Sequence, residues 1–259
     1  MIDLHSHILP GVDDGAQSLT DSFALAKEAV NNGITTLFAT PHHLNGVYTN
    51  HKQDVLDLVD YLQAEIDKQG IPLTILPGQE VHIYGEIVKD LQLNTLLTYN
   101  DQQKYLLLEL PYDHVPAFVD RVIYEILLQG IIPIIPHPER NRKIREHPDL
   151  LYKMVKQGAM SQITAASLVG KFGFEVQKFS LQCVEHGLAH VIASDAHRAG
   201  KRGFYMQEAY QELDRQFGSQ VVYEFKQTAE RIAKGQEVYV EPPQRIQKKR
   251  SWFSFLKRR

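Results

Sequence analysis

Short apolar runs alternate along the chain with segments whose apolar residues recur every three or four positions. The runs Ile2–His5, Thr35–Thr40, Thr74–Glu80, Tyr105–Leu110, Ile131–Pro136, Met160–Thr164 and His190–Ser194 are of strand length. Several are continuously apolar rather than alternating, as in strands covered on both faces or closed into a barrel. Between them, Leu19–Asn32, His51–Lys68, Val115–Gln129, Pro148–Lys156 and Phe172–His186 carry the helical period. Gly33, Gly70, Gly130, Gly158 and Gly187 each stand past a helical segment and before the next strand, where a left-handed residue ends a helix. Seven such units predict an α/β fold with a parallel, barrel-like sheet. Two further helical stretches follow Gly203, and Pro242-Pro243 close the body. No repeat or linker divides the chain, so residues 1–241 are expected to form a single domain and 242–259 a flexible basic and aromatic tail.

Composition narrows this picture. At 259 residues and 43% hydrophobic, the chain can bury the core of one α/β barrel. One cysteine, Cys183, excludes an internal disulfide framework and a Cys-rich zinc site, and its helical setting reads as a buried small apolar residue. Neither a signal peptide nor a stretch of 18 apolar residues is present, which predicts a cytoplasmic location. The net charge of −3 hides an asymmetry: Arg245–Arg259 holds seven of the 28 basic residues and no acidic one. The remaining 21 face 31 acidic residues, so an acidic body carries a basic tail. One short basic run on such a body makes a poor nucleic-acid footprint, and no nucleic-acid role is expected.

Six of the seven predicted strands end in a histidine or a carboxylate. The first runs into Asp3-Leu4-His5-Ser6-His7, which puts two imidazoles on one strand face. Asp13-Asp14-Gly15 follows; Asp14 offers oxygen donors, and Asp13 reads as a turn and helix-cap residue. The second strand leads to Pro41-His42-His43, the third to Glu80-Val81-His82, the fourth to Glu109, the fifth to His137-Pro138-Glu139-Arg140 and the seventh to Asp195-Ala196-His197. Only the sixth, ending at Thr164, brings no ligand. Active sites of parallel barrels lie at the C-terminal strand ends, so the nine donors His5, His7, Asp14, His42, Glu80, Glu109, His137, Asp195 and His197 are expected to meet there. Nine exceed the needs of one ion and imply two or three divalent ions. Imidazole and carboxylate without thiolate suit Mn²⁺, Fe²⁺ or Zn²⁺. Ions about 3.5–4 Å apart can share a hydroxide and clamp a phosphoryl group, chemistry that needs no nucleophilic Ser or Cys.

The segments DLHSHILPGVDDGA, ATPHH, GQEVH, HPER and SDAH resemble the polymerase-and-histidinol-phosphatase (PHP) family. More narrowly, they resemble the bacterial manganese-dependent protein-tyrosine phosphatases of capsule and exopolysaccharide gene clusters, over roughly residues 1–240. The resemblance implies a distorted (β/α)7 TIM-like barrel with a trinuclear site. One metal would take His5, His7, Glu80 and Asp195; a second Glu80, Glu109 and His137; a third Asp14, His42 and His197, with Mn²⁺ the leading ion. His43 and His82 would support the ligands or line the mouth, or stand as plain surface residues. Arginine suits phosphate through its planar fork, which selects Arg140 and, at an offset like the family's, Arg202. Arg142 and Arg198 read as solvated loop residues. Tyr48 and Tyr112 could stack on a substrate ring, though surface packing is the plainer reading.

The implied reaction is hydrolysis of phosphotyrosine by a metal-bridging hydroxide, with His42 or Asp195 moving the proton. The implied substrate is the tyrosine-phosphorylated tail of a bacterial tyrosine kinase. Trp252, Phe253, Phe255 and Leu256 among the basic residues of 245–259 either touch the inner face of the membrane or form a tail without a partner. A small-molecule phosphatase such as histidinol-phosphate phosphatase, or a non-catalytic phosphate-binding regulator, would use the same donors.

Overall fold

A computed structural model describes residues 1–247. Its strands are β1 (Ile2–Ser6), β2 (Thr36–Ala39), β3 (His42–His43), β4 (Thr74–Pro77), β5 (Glu80–His82), β6 (Tyr105–Glu109), β7 (Ile132–Pro136), β8 (Met160–Thr164) and β9 (Val191–Ala193). The helices are α1 (Leu19–Asn31), α2 (Lys52–Lys68), α3 (Ile87–Gln92), α4 (Val119–Leu128), α5 (Arg142–Glu146), α6 (Asp149–Gln157), α7 (Ala165–Leu168), α8 (Phe174–Glu185), α9 (Met206–Phe217) and α10 (Ser219–Ala233). All the named strand pairings are parallel, in the orders β1-β2-β4 and β3-β5-β6-β7-β8-β9.

These two sheets are one distorted barrel of seven strand positions. The third predicted strand is broken in two at Gly78-Gln79, and the second is continued as β3 past a break at Thr40-Pro41. Pro41 has no amide hydrogen to give to a ladder. A side chain on Gly78 would come within 2.9 Å of Thr40. The pairing continues across both breaks through Thr40 N–H to Ser6 O (2.9 Å), Gly78 N–H to Ala39 O (2.9 Å) and Glu80 N–H to Pro41 O (3.0 Å). The ring closes where Asp195 N–H donates to His5 O and His7 N–H to Ala196 O, both at 2.9 Å.

Two apolar layers hold the barrel. Leu37, Leu106, Leu108, Ile135, Ile163 and Ile192 face the helices, including Leu25, Ala26 and Ala29 of α1 and Leu62 and Ile66 of α2. Phe38, Tyr105, Leu107, Ile134, Met160 and Val191 form a separate cluster with Ala229 and Ile232 of α10. Alternation carries this second face upward from Tyr105 and Leu107 to Glu109, and from Met160 to Gln162. Helix α10 therefore packs under the floor and leaves the C-terminal strand ends as the mouth.

The five glycines predicted to end helices all have positive φ, between 63° and 120°. The predicted helix at Val115 begins at Val119, beyond Pro116, and the one at Phe172 begins at Phe174, after Gly173 at φ 93°. The short α3, α5 and α7 lacked a long enough period to be read; Arg142 is exposed, but on α5 rather than a loop. Beyond Pro242 the chain still touches the body: Gln244 N–H donates to His186 O (2.8 Å), and Arg245 lies 2.6 Å from Asp149 and over Tyr152. The aromatic and basic part of the tail, from Lys248 on, lies outside the described residues.

Candidate metal centre

The barrel brings all nine predicted donors to its mouth. His5 comes from β1 and His7 from the residue after its end; Glu80 opens β5, Glu109 closes β6, and His42 opens β3. His137 and Asp195 follow β7 and β9 with φ of 38° and 53°. That conformation is uncommon for non-glycine residues and turns the chain sharply at the strand end. Asp14 sits in a loop pinned to β1 by Ala16 N–H donating to His7 O (3.0 Å). The loop needs Gly15, because a Cβ there would lie 2.1 Å from His7 O.

Glu80 is the hub. Its Oε2 lies 3.3 Å from His5 Nε2, 3.5 Å from His7 Nε2 and 2.9 Å from His42 Nδ1, and its Oε1 lies 2.9 Å from His137 Nε2. Asp195 Oδ1 stands 3.5 Å from His5 Nε2 and 3.3 Å from His7 Nε2. Asp14 Oδ1 is 3.3 Å from His197 Nε2 and 3.4 Å from His42 Nε2, and Glu109 Oε2 is 3.7 Å from His42 Nδ1. The donors form three overlapping groups: His5, His7 and Glu80; His42, Glu80 and Glu109; His7, Asp14, His42 and His197. His7 and His42 thus stand between groups that the family scheme keeps apart.

These residues fit divalent cations on structural grounds. Among the described residues, Glu80 Oε2, His42 Nδ1, Asp14 Oδ1 and His197 Nε2 are buried and take part in no hydrogen bond. Buried polar atoms without partners are costly, and four converging on one space mark a place for a cation. The donors are oxygen and imidazole nitrogen throughout, as borderline and hard divalent ions require.

Electrostatics agree. Burial favours neutral Glu80, but the charges of His5 and then His42 and the hydrogen bond from His137 hold its carboxyl well below the usual range. Burial likewise works against the Asp195 carboxylate, and Arg140 and then Arg202 overcome it, keeping it far below the ordinary value. His197 is pushed down to about 4, first by burial and then by His7, so its imidazole stays neutral and its Nε2 lone pair free. Both arginines reach one oxygen: Arg140 Nη1 and Arg202 Nη2 donate to Asp195 Oδ2, the latter at 2.7 Å.

A supporting layer surrounds the donors, and part of it eluded sequence reading. Asp13 is a correction: it does accept the Gly15 N–H like a turn residue, but it is buried and its Oδ2 receives His7 Nδ1–H at 2.7 Å. That bond leaves His7 Nε2 facing the centre. The sixth strand ends without a histidine or carboxylate, yet Gln162 Oε1 lies 3.2 Å from His5 Nδ1 and orients it. A glutamine within a fully buried strand was the available signal. Glu139 is buried too, accepting from Thr164 N–H (3.0 Å) and Ser167 Oγ–H (2.6 Å), which ties the His137–Arg140 turn to β8 and α7. His82 is 3.2 Å from Glu109 Oε2, a supporting position, whereas His43 is buried against His51 away from the centre. Tyr48 lies parallel to His42 with centroids 6.2 Å apart; Tyr112 is 72% exposed, and Arg198 is exposed.

A parallel barrel whose mouth gathers nitrogen and oxygen donors beside two arginines has the architecture of a metal-dependent hydrolase acting on an anionic substrate. Residues 1–233 match the family described as capsular polysaccharide synthesis, CpsB/CapC, and the chain belongs to that family. It is 49% identical to the tyrosine-protein phosphatase YwqE of Bacillus subtilis over 256 residues, 99% of this chain and 100% of the relative. It is 29% identical over 253 residues to the tyrosine-protein phosphatase CpsB of Streptococcus pneumoniae, covering 95% and 98%. A solved structure described among "YwqE from Bacillus subtilis and CpsB from Streptococcus pneumoniae, unique metal-dependent tyrosine phosphatases" superposes with a TM-score of 0.93 at 48% identity, covering 96% of this chain and all of that one.

Proposed function

We propose that the chain is a metal-dependent protein-tyrosine phosphatase acting on the phosphorylated tail of a bacterial tyrosine kinase that controls capsular or exopolysaccharide synthesis. The observation that carries this reading is the convergence of nine donors, four with unpartnered buried atoms, beside two arginines that share one carboxylate. The named activity of the relatives supports the same reaction. His5, His7, Glu80 and Asp195 would hold one ion, Glu80, Glu109 and His137 a second, and Asp14, His42 and His197 a third. Mn²⁺ is the leading ion, and Fe²⁺ and Zn²⁺ suit the same donors. When bound, the ions supply charge that offsets the developing negative charge of a phosphoryl group and acidify water.

The chain's own residues do the rest. Glu80 lies between the first two groups and fixes their spacing. Arg140 and Arg202, steadied on Asp195, offer their remaining N–H groups to phosphate oxygens. Of the two candidate proton carriers, His42 has a side chain 12% exposed to the mouth, whereas Asp195 is closed at 2% and clamped by guanidiniums. His42 is thus the better placed. Contact of residues 245–259 with an anionic membrane surface near the kinase is supported by their basic and aromatic sequence. No helix among the described residues is long and apolar enough to cross a membrane.

The test is hydrolysis of phosphotyrosyl peptide, phosphoseryl peptide and histidinol phosphate, each with Mn²⁺ and with chelator. Metal-dependent turnover of phosphotyrosyl peptide is expected. Turnover confined to histidinol phosphate would contradict the substrate, and tight phosphate binding without turnover would make the protein a regulator.

A further inference from the structure

Between α7 and α8 the chain runs Gly170-Lys171-Phe172-Gly173-Phe174, and Phe172 remains 41% exposed. Its backbone is nevertheless tied down. Gly170 and Gly173 take φ of 79° and 93°, Lys171 N–H donates to Ala166 O (2.9 Å) and Gly173 N–H to Gly170 O (3.0 Å). Gln177 closes the turn from α8, donating from Nε2 to Leu168 O (2.8 Å). On the far side Lys171 lies over the Tyr205 ring at 5.0 Å. The ring of Phe172 is thus presented on a pinned turn, with the Arg140 guanidinium 5.5 Å from its centroid.

Arg140 is anchored by its hydrogen bond to Asp195, and its guanidinium carbon stands over the Phe172 ring. A phosphate received by Arg140 is linked to the tyrosine ring through one ester oxygen, so that ring arrives within reach of Phe172. Tyr48, beside His42, is partly buried and already lies parallel to that ring. We propose that Phe172 is a specificity-determining residue, a platform for the phosphotyrosine ring that makes the site prefer aryl over alkyl phosphate esters. This rests on the proposed phosphatase reading and deepens it by assigning the ring a partner.

The experiment compares wild type, Phe172→Ala and Phe172→Tyr, all loaded with Mn²⁺, on phosphotyrosyl and phosphoseryl peptides of one sequence, with inhibition by inorganic phosphate as a ringless probe. Aromatic contact is worth a factor of roughly 2 to 12. Phe172→Ala is expected to lower the phosphotyrosyl-to-phosphoseryl ratio of kcat/KM by about that factor through KM. Phe172→Tyr should restore the ratio, and the inhibition constant for phosphate should hold in both variants. An unchanged ratio overturns the proposal. So does an equal fall on both peptides with weakened phosphate inhibition, because Phe172 would then only prop Arg140. Failure of the wild type to turn over phosphotyrosyl peptide would instead strike the phosphatase reading.

Discussion

His5, His7, Glu80 and Asp195 form the floor of the proposed metal centre with side chains at most 2% exposed, whereas Asp14, Glu109, Arg140 and Arg202 stand at its rim, with Asp14 45% and Arg202 35% exposed. Two of the floor residues are backed by hydrogen bonds, which His7 donates to Asp13 and His5 to Gln162. Of the rim residues, Asp14 and Arg140 hang on loops shaped by Gly15 and by the tight turn after β7. Rigid donors suit ions that must stay; partly solvated groups suit a phosphate that must enter and leave. Of the rim groups, the two arginines are the ones the proposed function offers to substrate, while Asp14 and Glu109 complete the ligand groups from the solvent side.

The comparison breaks most sharply at Glu80. Glu80→Gln removes the charge shared by two ligand groups and should lower both the affinity for their ions and kcat/KM more than 100-fold, beyond the roughly 10- to 100-fold typical of supporting residues. Metal analysis and peptide hydrolysis read this directly. At the rim, Arg140→Lys replaces a fork by a point charge and should cut kcat/KM on phosphotyrosyl peptide about 10- to 100-fold with metal content retained. Equal loss of metal would place Arg140 with the floor. Asp13→Asn should lower metal affinity about tenfold, because the amide is a poorer acceptor for His7 Nδ1–H; metal titration checks it.

The smallest effect lies away from the centre. His190 is buried, its Nδ1 accepts the Ser161 N–H (2.9 Å), and burial pushes its pKa down from 6.5 to about 4. The unfolded chain takes up this proton below 6.5 and the folded chain only near 4, so stability is complete above that window and falls as pH drops through it. The loss should reach roughly 2 kcal/mol between about pH 7 and about pH 5. Denaturant unfolding of His190→Gln should show a pH slope shallower by that amount.

The floor of the centre was readable in the sequence because strand periodicity places His5 and His7 on one face and Glu80 at a strand end. The breaks after the second strand and within the third were not, since Pro41 and Gly78 act only once neighbouring strands are in place. Asp13 was misread because Asp followed by Asp-Gly is ordinary turn chemistry, and only the fold puts its second oxygen under His7. Gln162 and Phe172 meet residues distant in sequence, His5 and Arg140; Gln162 showed itself only as a glutamine in an apolar strand, and no local pattern announces Phe172. Arg140 and Arg202 were found from phosphate chemistry, but their meeting on Asp195 depends on the closure of β9 against β1.

The most direct test titrates Mn²⁺ into chelator-stripped wild type and Glu80→Gln while phosphotyrosyl peptide hydrolysis is followed. The account predicts that stripped wild type is silent and recovers with added metal, while Glu80→Gln stays silent at the same metal concentrations. Full turnover by the stripped wild type, or recovery of Glu80→Gln to the wild-type rate, would contradict it.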